Sequence, residues 1–276
     1  MSEFINYNGK LLDVSTPIIP AANRGLRYGD GLFETMKMLD GEIRLFEAHM
    51  ERLFKGLALL HFELPVHFTK EVLLDAILKI CSRNKVEKAA RIRLNLFRGN
   101  GGLYDIENLK PNYVIEASPL PDHYLKLNEN GLLLDTFTDM RKCCDLLCNC
   151  KTNNYQIYSM AAFYAREQKV NDCFVLNEYG RICDTTLANV FWIKKDKVFT
   201  IALSEGGVAG VMRQYLKVQL IKNGYEVEEA QLTFPELENA SEVFLTNAAY
   251  GIRWVKQHKN SHYTNTTIQK IYRDIR

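Results

Sequence analysis

The chain has 276 residues, of which 47% are hydrophobic and 25% charged, and its formal net charge is +2. These values are typical of a soluble globular protein, and a chain of this length favours two domains over one. Basic and acidic residues are interspersed along the sequence. This pattern excludes an extended basic surface for nucleic acid but is compatible with a local phosphate-binding site.

The N-terminal sequence and the cysteines indicate the cellular compartment. The opening MSEFINYNGK has no basic stretch before an apolar run, so no signal peptide is predicted. No run approaches the about 18 apolar residues that a membrane helix needs, so no membrane association is expected. Four of the seven cysteines crowd together, at Cys143, Cys144, Cys148 and Cys150. Because a secreted protein would risk mispaired disulfides there, we predict a cytoplasmic protein.

The same cysteine cluster has an alternative interpretation as part of a zinc site, which would make the chain a non-catalytic metal-binding or scaffold protein. A zinc site needs four ligands in tetrahedral geometry. However, Cys-x-x-Cys pairs are missing, and no histidine pair at ligand spacing lies nearby. Free, partly buried thiols and no metal are therefore the preferred interpretation.

The first half of the chain predicts strands and helices in a mixed order. Strands are expected over residues 4–7, 32–38, 42–46, 91–97 and 113–118, with hairpin turns at Asn8-Gly9 and Asp40-Gly41. Helices are expected over 46–60 and 69–84, the second with Thr69 as its N-cap. The proline-containing residues 119–123 then predict a linker between a smaller N-terminal domain, 1–118, and a larger C-terminal domain, 124–276.

The second half continues the alternation. Strands are predicted over 132–137, 173–177, 190–193 and 242–246, and helices over 154–167 and 211–223, the latter closed by Gly224. Thr266 or Thr267 is expected to cap a short terminal helix. The fold class predicted from these patterns is α/β (α+β) with two domains.

Residues 206–213 (GGVAGVMR) form the most readable functional element, a glycine-rich loop that runs into a helix. The first amides of a helix point outward at the positive end of its dipole, so this loop could hold a phosphate; a flexible connection is the alternative. Residues 98–102 (RGNGG) are a weaker signal and favour a simple turn. Taken alone, residues 28–34 predict a tight loop followed by a strand, and Lys151 looks like any solvated lysine.

Taken together and in order, several segments resemble the class IV pyridoxal-phosphate enzymes, which include branched-chain and D-amino-acid aminotransferases and aminodeoxychorismate lyases. The matching segments are residues 23–34 (NRGLRYGDGLFE), 45–53 (LFEAHMERL), 98–102, 151–154 (KTNN), 184–191 (DTTLANVF), 207–213 and 245–252 (LTNAAYGI). They span nearly the whole chain. The resemblance implies the two-domain fold of fold-type IV, similar to that of D-amino-acid aminotransferase.

The resemblance also assigns roles toward pyridoxal 5′-phosphate. Lys151 matches the lysine that holds this cofactor as a Schiff base and later moves the substrate proton, for which its amine must be uncharged. Arg52 matches the arginine that binds the cofactor phosphate, although taken alone it reads as an exposed charge on a helix. Val211 and Met212 match positions whose backbone amides bind the same phosphate.

Asp184 stands where the family normally carries a glutamate facing the pyridine nitrogen. A carboxylate there keeps the nitrogen protonated, so that the ring accepts electrons. Aspartate is one methylene shorter, which requires a shift of the backbone or the ring, or a bridging water. The resemblance also assigns Asn189, Asn247 and Ala248 to the cofactor. Ala248 is typical of the lyases, since several aminotransferases have a hydroxyl residue there.

Substrate-binding residues follow from the same resemblance. Arg93 aligns with an arginine that binds substrate carboxylates in branched-chain aminotransferases. Tyr28 and Phe33 are expected to line the pocket, and Tyr104 to reach the site of a neighbouring subunit, because the family forms homodimers. The Arg-x-His motif of D-amino-acid aminotransferases is replaced by residues 103–105 (LYD), which counts against that activity.

These features favour a lyase that converts 4-amino-4-deoxychorismate to 4-aminobenzoate and pyruvate, a step toward folate. The alternative is transamination of branched-chain or related amino acids with 2-oxoglutarate. Both reactions begin with a small-molecule amine or amino acid and the same removal of a proton, so the sequence leaves the choice open.

Overall fold

The computed structural model describes residues 3–104 and 109–275. The chain divides into two compact units. The first comprises Met1–Pro121 together with Cys150–Asn154, and the second comprises Asp122–Asn149 together with Tyr155–Arg276. The segment Cys150–Asn154 belongs to the first unit although the sequence analysis placed it beyond the linker.

The first unit is an antiparallel sheet covered by helices. Its strands are β1 (Phe4–Tyr7), β2 (Lys10–Asp13), β3 (Gly31–Leu39), β4 (Glu42–Ile43), β5 (Ala89–Arg98) and β6 (Pro111–Pro119), and its helices are α1 (Arg24–Tyr28), α2 (Phe46–Leu59) and α3 (Lys70–Arg83). The strand order is β2-β1-β6-β5-β3-β4. Alternate residues of β3, Leu32, Met36 and Met38, pack with α2 and α3 in one apolar core.

The predicted helices of this unit are confirmed. Thr69 is the N-cap of α3, where its side chain accepts a hydrogen bond from the backbone amide of Val72. The strand predicted over 42–46 was too long: β4 ends at Ile43, because Leu45 takes a left-handed conformation and α2 begins at Phe46. Helix α1 was not predicted. Its last residue is Tyr28, and Gly29 follows as the C-cap with a φ of 64°.

The second unit is a mixed sheet with helices. Its strands are β7 (Leu132–Lys142), β8 (Asp172–Asn177), β9 (Ile182–Thr185), β10 (Asn189–Lys194), β11 (Lys197–Ile201), β12 (Val227–Ala230), β13 (Glu242–Asn247), β14 (Gly251–His258) and β15 (Ser261–His262). Its helices are α4 (Gln156–Glu167), α5 (Val211–Lys222), α6 (Phe234–Glu238) and α7 (Thr266–Asp274). The strand order is β12-β11-β10-β13-β14-β7-β8-β9, and β15 pairs with β14.

Apolar residues cover both faces of this second sheet. On β10, Val190 and Trp192 pack into one core, while Phe191 and Ile193 pack into another with α5 and α7. This alternation is what a strand buried on both faces requires. The predicted cap of the last helix was wrong: Asn265 occupies the N-cap position of α7.

The fold class predicted from the sequence, mixed α/β, is confirmed by this architecture. In the part of the chain that the structure describes, no helix has both the length and the apolar character needed to cross a membrane.

Candidate active site

Lys151 lies along the edge of strand β3. The backbone amide of Phe33 donates to the Lys151 carbonyl at 3.0 Å, and the amide of Asn153 donates to the Gly31 carbonyl at 2.9 Å. Leu32 and Thr152 form an antiparallel bridge between these two bonds. The backbone that carries Lys151 is therefore fixed by the sheet and does not belong to a loose loop.

The Phe33 ring brings two basic side chains together. The Lys151 Nζ atom lies 4.2 Å from the centroid of this ring, and the Arg93 guanidinium carbon lies 4.1 Å from it. Arg93 reaches the ring from β5, where it pairs with Thr35 of β3. Phe33 itself is buried. Contacts of this kind help to hold basic side chains in place beside an aromatic ring.

Arg52 is anchored by a buried carboxylate on β3. Its Nε donates to Glu34 Oε1 at 2.8 Å and its second guanidinium nitrogen to Oε2 at 2.5 Å. His49, one helical turn before Arg52 on α2, places Nδ1 at 2.7 Å from the same Oε2. Burial alone would raise the pKa of Glu34, but the Arg52 charge and the His49 contact lower it to about 2.

The interpretation of Arg52 as a solvent-exposed helix charge is wrong. Only 15% of its side chain is exposed, and it forms a bidentate ion pair with Glu34, whose side chain is 1% exposed. A guanidinium has five N–H donors, and this geometry fixes the plane in which the group lies. A fixed guanidinium is well suited to bind a phosphate group.

The two tyrosines assigned to the substrate, Tyr28 and Tyr104, differ in their surroundings. Tyr28 is the last residue of α1. The guanidinium carbon of Arg24 lies over the Tyr28 ring, 5.2 Å from the centroid of that ring. Tyr104 is 94% exposed. Asp105, the last residue of the segment that replaces the Arg-x-His motif, lies outside the described residues.

In the second unit, Asp184 of β9 is a buried carboxylate with several donors. Oδ1 accepts from the Asn189 amide at 2.9 Å, and Oδ2 accepts from the Tyr158 hydroxyl at 2.9 Å and the Val208 backbone amide at 2.8 Å. The Lys142 ammonium lies 3.5 Å from Oδ2. These donors stabilise the ionised form of a side chain that is 3% exposed.

Gly207 and Gly210 are required by the packing of the loop ahead of α5, so their role is not merely flexibility. A Cβ on Gly207 would lie 2.6 Å from the Cys183 carbonyl oxygen, and one on Gly210 would collide with Asn189 Oδ1. Asn189 also donates to the Val208 carbonyl at 2.8 Å, so the same side chain ties the loop to Asp184.

Helix α5 begins at Val211 with Gly210 as its N-cap. A glycine cap has no side chain to accept hydrogen bonds, and the amides of the first turn have no acceptor within the helix. These amides, including those of Val211 and Met212, are the donors that an anion needs.

At the end of β13, Asn247 Oδ1 accepts from the backbone amides of Ala249 and Tyr250 at 3.0 Å each, which fixes the turn that contains Ala248.

Each unit, taken by itself, carries groups whose chemistry suits a part of pyridoxal phosphate. The first unit offers a primary amine, Lys151, and a fixed guanidinium, Arg52; the second offers a buried carboxylate, Asp184, and a helix N-terminus. These are the partners that an aldehyde, a phosphate and a pyridine nitrogen require.

The cysteines of the cluster are not joined in disulfides, and burial raises the pKa of both Cys144 and Cys148. Among residues 3–104 and 109–275, no three histidine, cysteine or acidic side chains are grouped closely enough to hold a metal ion.

Comparison with known proteins identifies the family. The sequence pattern described as "Amino-transferase class IV" matches residues 31–258. The chain belongs to the class IV aminotransferase family. Enzymes of this family depend on pyridoxal phosphate, and the chain is therefore an enzyme of the class IV aminotransferase and lyase group.

Relatives and solved structures of this class IV family carry more than one activity name. The chain is 32% identical over 237 residues to an aminodeoxychorismate lyase from Vibrio harveyi, covering 85% of each chain. A branched-chain amino acid aminotransferase from Escherichia coli superimposes with a TM-score of 0.89 at 22% identity, covering 99% of this chain and 93% of that one. A protein from Mycobacterium tuberculosis, described as a hypothetical aminotransferase in a PLP-bound form, gives 0.85 at 18% identity, with coverage of 99% and 96%.

Four residues around the candidate site were not found by the sequence analysis: Glu34, His49, Lys142 and Tyr158. His49 and Arg52 are three residues apart on a helix, a spacing that places them on one face and could have signalled a shared partner. Glu34 ends a matched segment, but its burial could not be read locally. Lys142 and Tyr158 carry no local signal.

Proposed function

We propose that the protein is a pyridoxal-phosphate-dependent lyase that releases pyruvate from 4-amino-4-deoxychorismate and leaves 4-aminobenzoate. The observation that carries the proposal is the position of the Lys151 amine beside the Phe33 ring, with the Arg93 guanidinium against the same ring. This arrangement offers a base and a carboxylate-binding cation to a substrate that has both an amine and carboxylates. The similarity to a lyase over most of the chain supports the choice of reaction.

When bound, the cofactor would supply an aldehyde that condenses with an amine and a pyridine ring that accepts electrons. Lys151 is the residue that holds the cofactor covalently before the substrate arrives. In the first unit, Arg52 binds phosphate, and Glu34 keeps its guanidinium oriented. In the second unit, the amides of Val211 and Met212 and the turn at Asn247-Ala248 would bind the phosphate, and Asp184, held by Asn189, would pair with the pyridine nitrogen.

The reaction needs one base and one leaving group. Lys151 Nζ, once displaced by the substrate amine, accepts the proton from the carbon that bears this amine. The electron pair of that C–H bond forms the new ring double bond, and the pair of the C–O bond leaves with the enol ether oxygen. The ring becomes aromatic, and the released enolate takes up a proton on its methylene carbon to become pyruvate. No oxidant or second substrate is consumed.

Arg93 binds a substrate carboxylate, since a guanidinium matches a carboxylate with two parallel hydrogen bonds. Phe33 forms one wall of the pocket and fixes Arg93, and Tyr28 forms another. The protein is a homodimer and works in the cytoplasm. The exposed Tyr104 of each subunit reaches the active site of the other subunit.

Transamination of branched-chain or related amino acids with 2-oxoglutarate is the second candidate. Arg93 favours it, because the resemblance aligns this residue with the carboxylate-binding arginine of the branched-chain aminotransferases. The two reactions share the proton transfer to Lys151 and differ afterwards: elimination breaks the C–O bond, while transamination would require Lys151 to give the proton back.

Product analysis distinguishes the two candidates. Purified enzyme is supplied with 4-amino-4-deoxychorismate in the absence of any 2-oxo acid, and 4-aminobenzoate and pyruvate are measured together. Equal amounts of both products, formed over many turnovers, are expected. Turnover only when 2-oxoglutarate and a branched-chain amino acid are present would replace the lyase with the aminotransferase.

A further inference from the structure

Lys142 is the last residue of β7, and its ammonium group lies beside the carboxylate of Asp184. The proposed function pairs this carboxylate with the pyridine nitrogen. Its Nζ is 2.6 Å from the Tyr158 hydroxyl oxygen and 3.5 Å from Asp184 Oδ2. The side chain of Lys142 is only 12% exposed. Neither the family resemblance nor the proposed function gives this lysine a role.

The hydrogen bonds among these three side chains run in one direction. An ammonium only donates and a carboxylate only accepts, so the Tyr158 hydroxyl accepts from Lys142 and donates to Asp184 at 2.9 Å. Burial, together with the Asp184 charge, raises the pKa of Tyr158 well above its usual value, so the phenol keeps its proton.

The ring of Tyr158 is fixed by its packing. It stacks on the Tyr155 ring with centroids 4.3 Å apart, and the Tyr155 hydroxyl donates to the Thr186 carbonyl at 3.0 Å. A bridging hydroxyl on a fixed ring holds both the ammonium and the carboxylate in place. The distances from Lys142 to Tyr158 and Asp184 therefore describe a built arrangement.

The charges of this group have a consequence for a bound pyridine. A lone carboxylate beside the ring nitrogen favours the protonated form by attraction. Lys142 already balances the charge of Asp184, and burial leaves this pair weakly screened by solvent. The neighbouring Cys183 does not restore the negative charge, since burial raises the pKa of its thiol and keeps it neutral.

We propose that Lys142, acting through Tyr158 and Asp184, is a positioning residue that lowers the proton affinity of the pyridine nitrogen and thereby favours elimination over transamination. The inference rests on the proposed function. A less protonated ring withdraws electrons more weakly. Transamination must keep the electron pair on the cofactor until a proton returns to it, whereas elimination passes the pair into the aromatic ring of the product as the C–O bond breaks.

The first test measures the nitrogen itself. Wild-type holoenzyme and three variants, K142M, K142R and the control K194M, are loaded with nitrogen-15-labelled pyridoxal phosphate, and the ring-nitrogen resonance is followed against pH. Lys194 pairs with Glu236, away from the candidate site, and serves as a matched loss of a partly exposed lysine. K142M is expected to bind ring protons about tenfold more tightly, a shift of about one pH unit. K142R and K194M should titrate like wild type.

The second test measures the partition between products. With the amine substrate, the ratio of 4-aminobenzoate released to cofactor converted to its amine form is expected to fall about tenfold in K142M, in line with a one-unit change at the ring. Y158F keeps the stacked ring and removes the bridging hydroxyl, so it should shift the ratio in the same direction. An unchanged ratio in both variants overturns the proposed effect on specificity.

The outcomes separate this inference from the function it rests on. If wild-type protein binds pyridoxal phosphate and releases 4-aminobenzoate, but K142M and wild type give the same nitrogen titration, the role of Lys142 is refuted and the lyase stands. If wild-type protein does not bind the cofactor, the proposed function fails and the role of Lys142 fails with it.

Discussion

The Lys151 region of the first unit and the Asp184 region of the second unit use charge in opposite ways. Around Lys151, two basic side chains, Lys151 and Arg93, lie against one phenylalanine ring. Around Asp184, a single carboxylate is surrounded by an amide, a hydroxyl, a backbone N–H and an ammonium. The first region can bind anions, and the second presents a fixed anion of its own.

This difference predicts whether a substitution in each region should affect catalysis alone or stability as well. The basic side chains at the Phe33 ring are assigned to the reaction and to the substrate, so their removal should appear mainly in catalysis or binding. Removal of charge from the Asp184 group or from the Glu34–Arg52 pair exposes an opposite charge in a buried place, so stability should also suffer.

Replacement of Lys151 by alanine is expected to have the largest effect. Because this amine is both the covalent attachment and the base, the release of 4-aminobenzoate should fall by at least about 10³-fold while the unfolding temperature changes little. Steady-state assays and thermal unfolding measure the two quantities. Lys194→Ala serves as the control; activity of Lys151→Ala within tenfold of wild type would contradict the role of Lys151.

Asp184→Asn should cost less activity than Lys151→Ala but should also destabilise the fold. The amide keeps the size of the carboxylate while leaving the Lys142 cation without its counter-charge. We expect a loss of about 10²-fold in kcat, comparable to removing one preorganised electrostatic partner, together with a lower unfolding temperature. An asparagine variant as active as wild type would mean that the carboxylate charge is not used.

Glu34→Gln should be more damaging to stability than to the chemical step. The pKa of Glu34 drops from 4.5 to about 2 in the folded protein, which corresponds to about 3 kcal/mol of stability at neutral pH. This contribution is present above pH 4.5 and is lost as the pH falls toward about 2. Urea unfolding at several pH values should therefore show a steep acid loss in wild type that is absent from the variant.

The exposed Glu51 on α2, the helix that carries Arg52, provides the matched control for this prediction. It pairs with Lys55 at the surface, where ion pairs contribute little. Glu51→Gln should keep the acid profile of wild type. If Glu34→Gln and Glu51→Gln have the same acid profile, Glu34 is not the titrating group.

Arg93→Met is expected to have the smallest effect on catalysis among these variants. Loss of a carboxylate-binding guanidinium should raise KM by about 10- to 100-fold with a smaller change in kcat, as for a contact worth 1–3 kcal/mol in binding. The exposed Arg91, two residues earlier on β5, gives the control Arg91→Met, which should leave KM unchanged. Equal KM values for the two variants would remove Arg93 from the substrate site.

Local sequence patterns predicted much of the fold because they repeat within single elements. Helical spacing identified α2 and α3, the Thr69 cap was readable from its residue type, and the glycine-rich loop pointed to the N-terminus of α5. Chemical roles, by contrast, came from the family resemblance and not from these patterns.

The missing parts of the candidate site depend on contacts between distant positions. Glu34 meets Arg52 across 18 residues and Tyr158 meets Asp184 across 26, while Thr152 joins the edge of β3 at Leu32. Such pairings are set by strand register and by the return of the chain to an earlier strand. Neither follows from the periodicity of a single segment.

Covalent trapping identifies the lysine that holds the cofactor. Holoenzyme is reduced with borohydride, which fixes the cofactor to the amine that holds it, and the digested protein is mapped by mass spectrometry. The account predicts a phosphopyridoxyl label on the peptide that contains Lys151. A label on Lys142 or another lysine, or no label on protein that carries the cofactor, would contradict it.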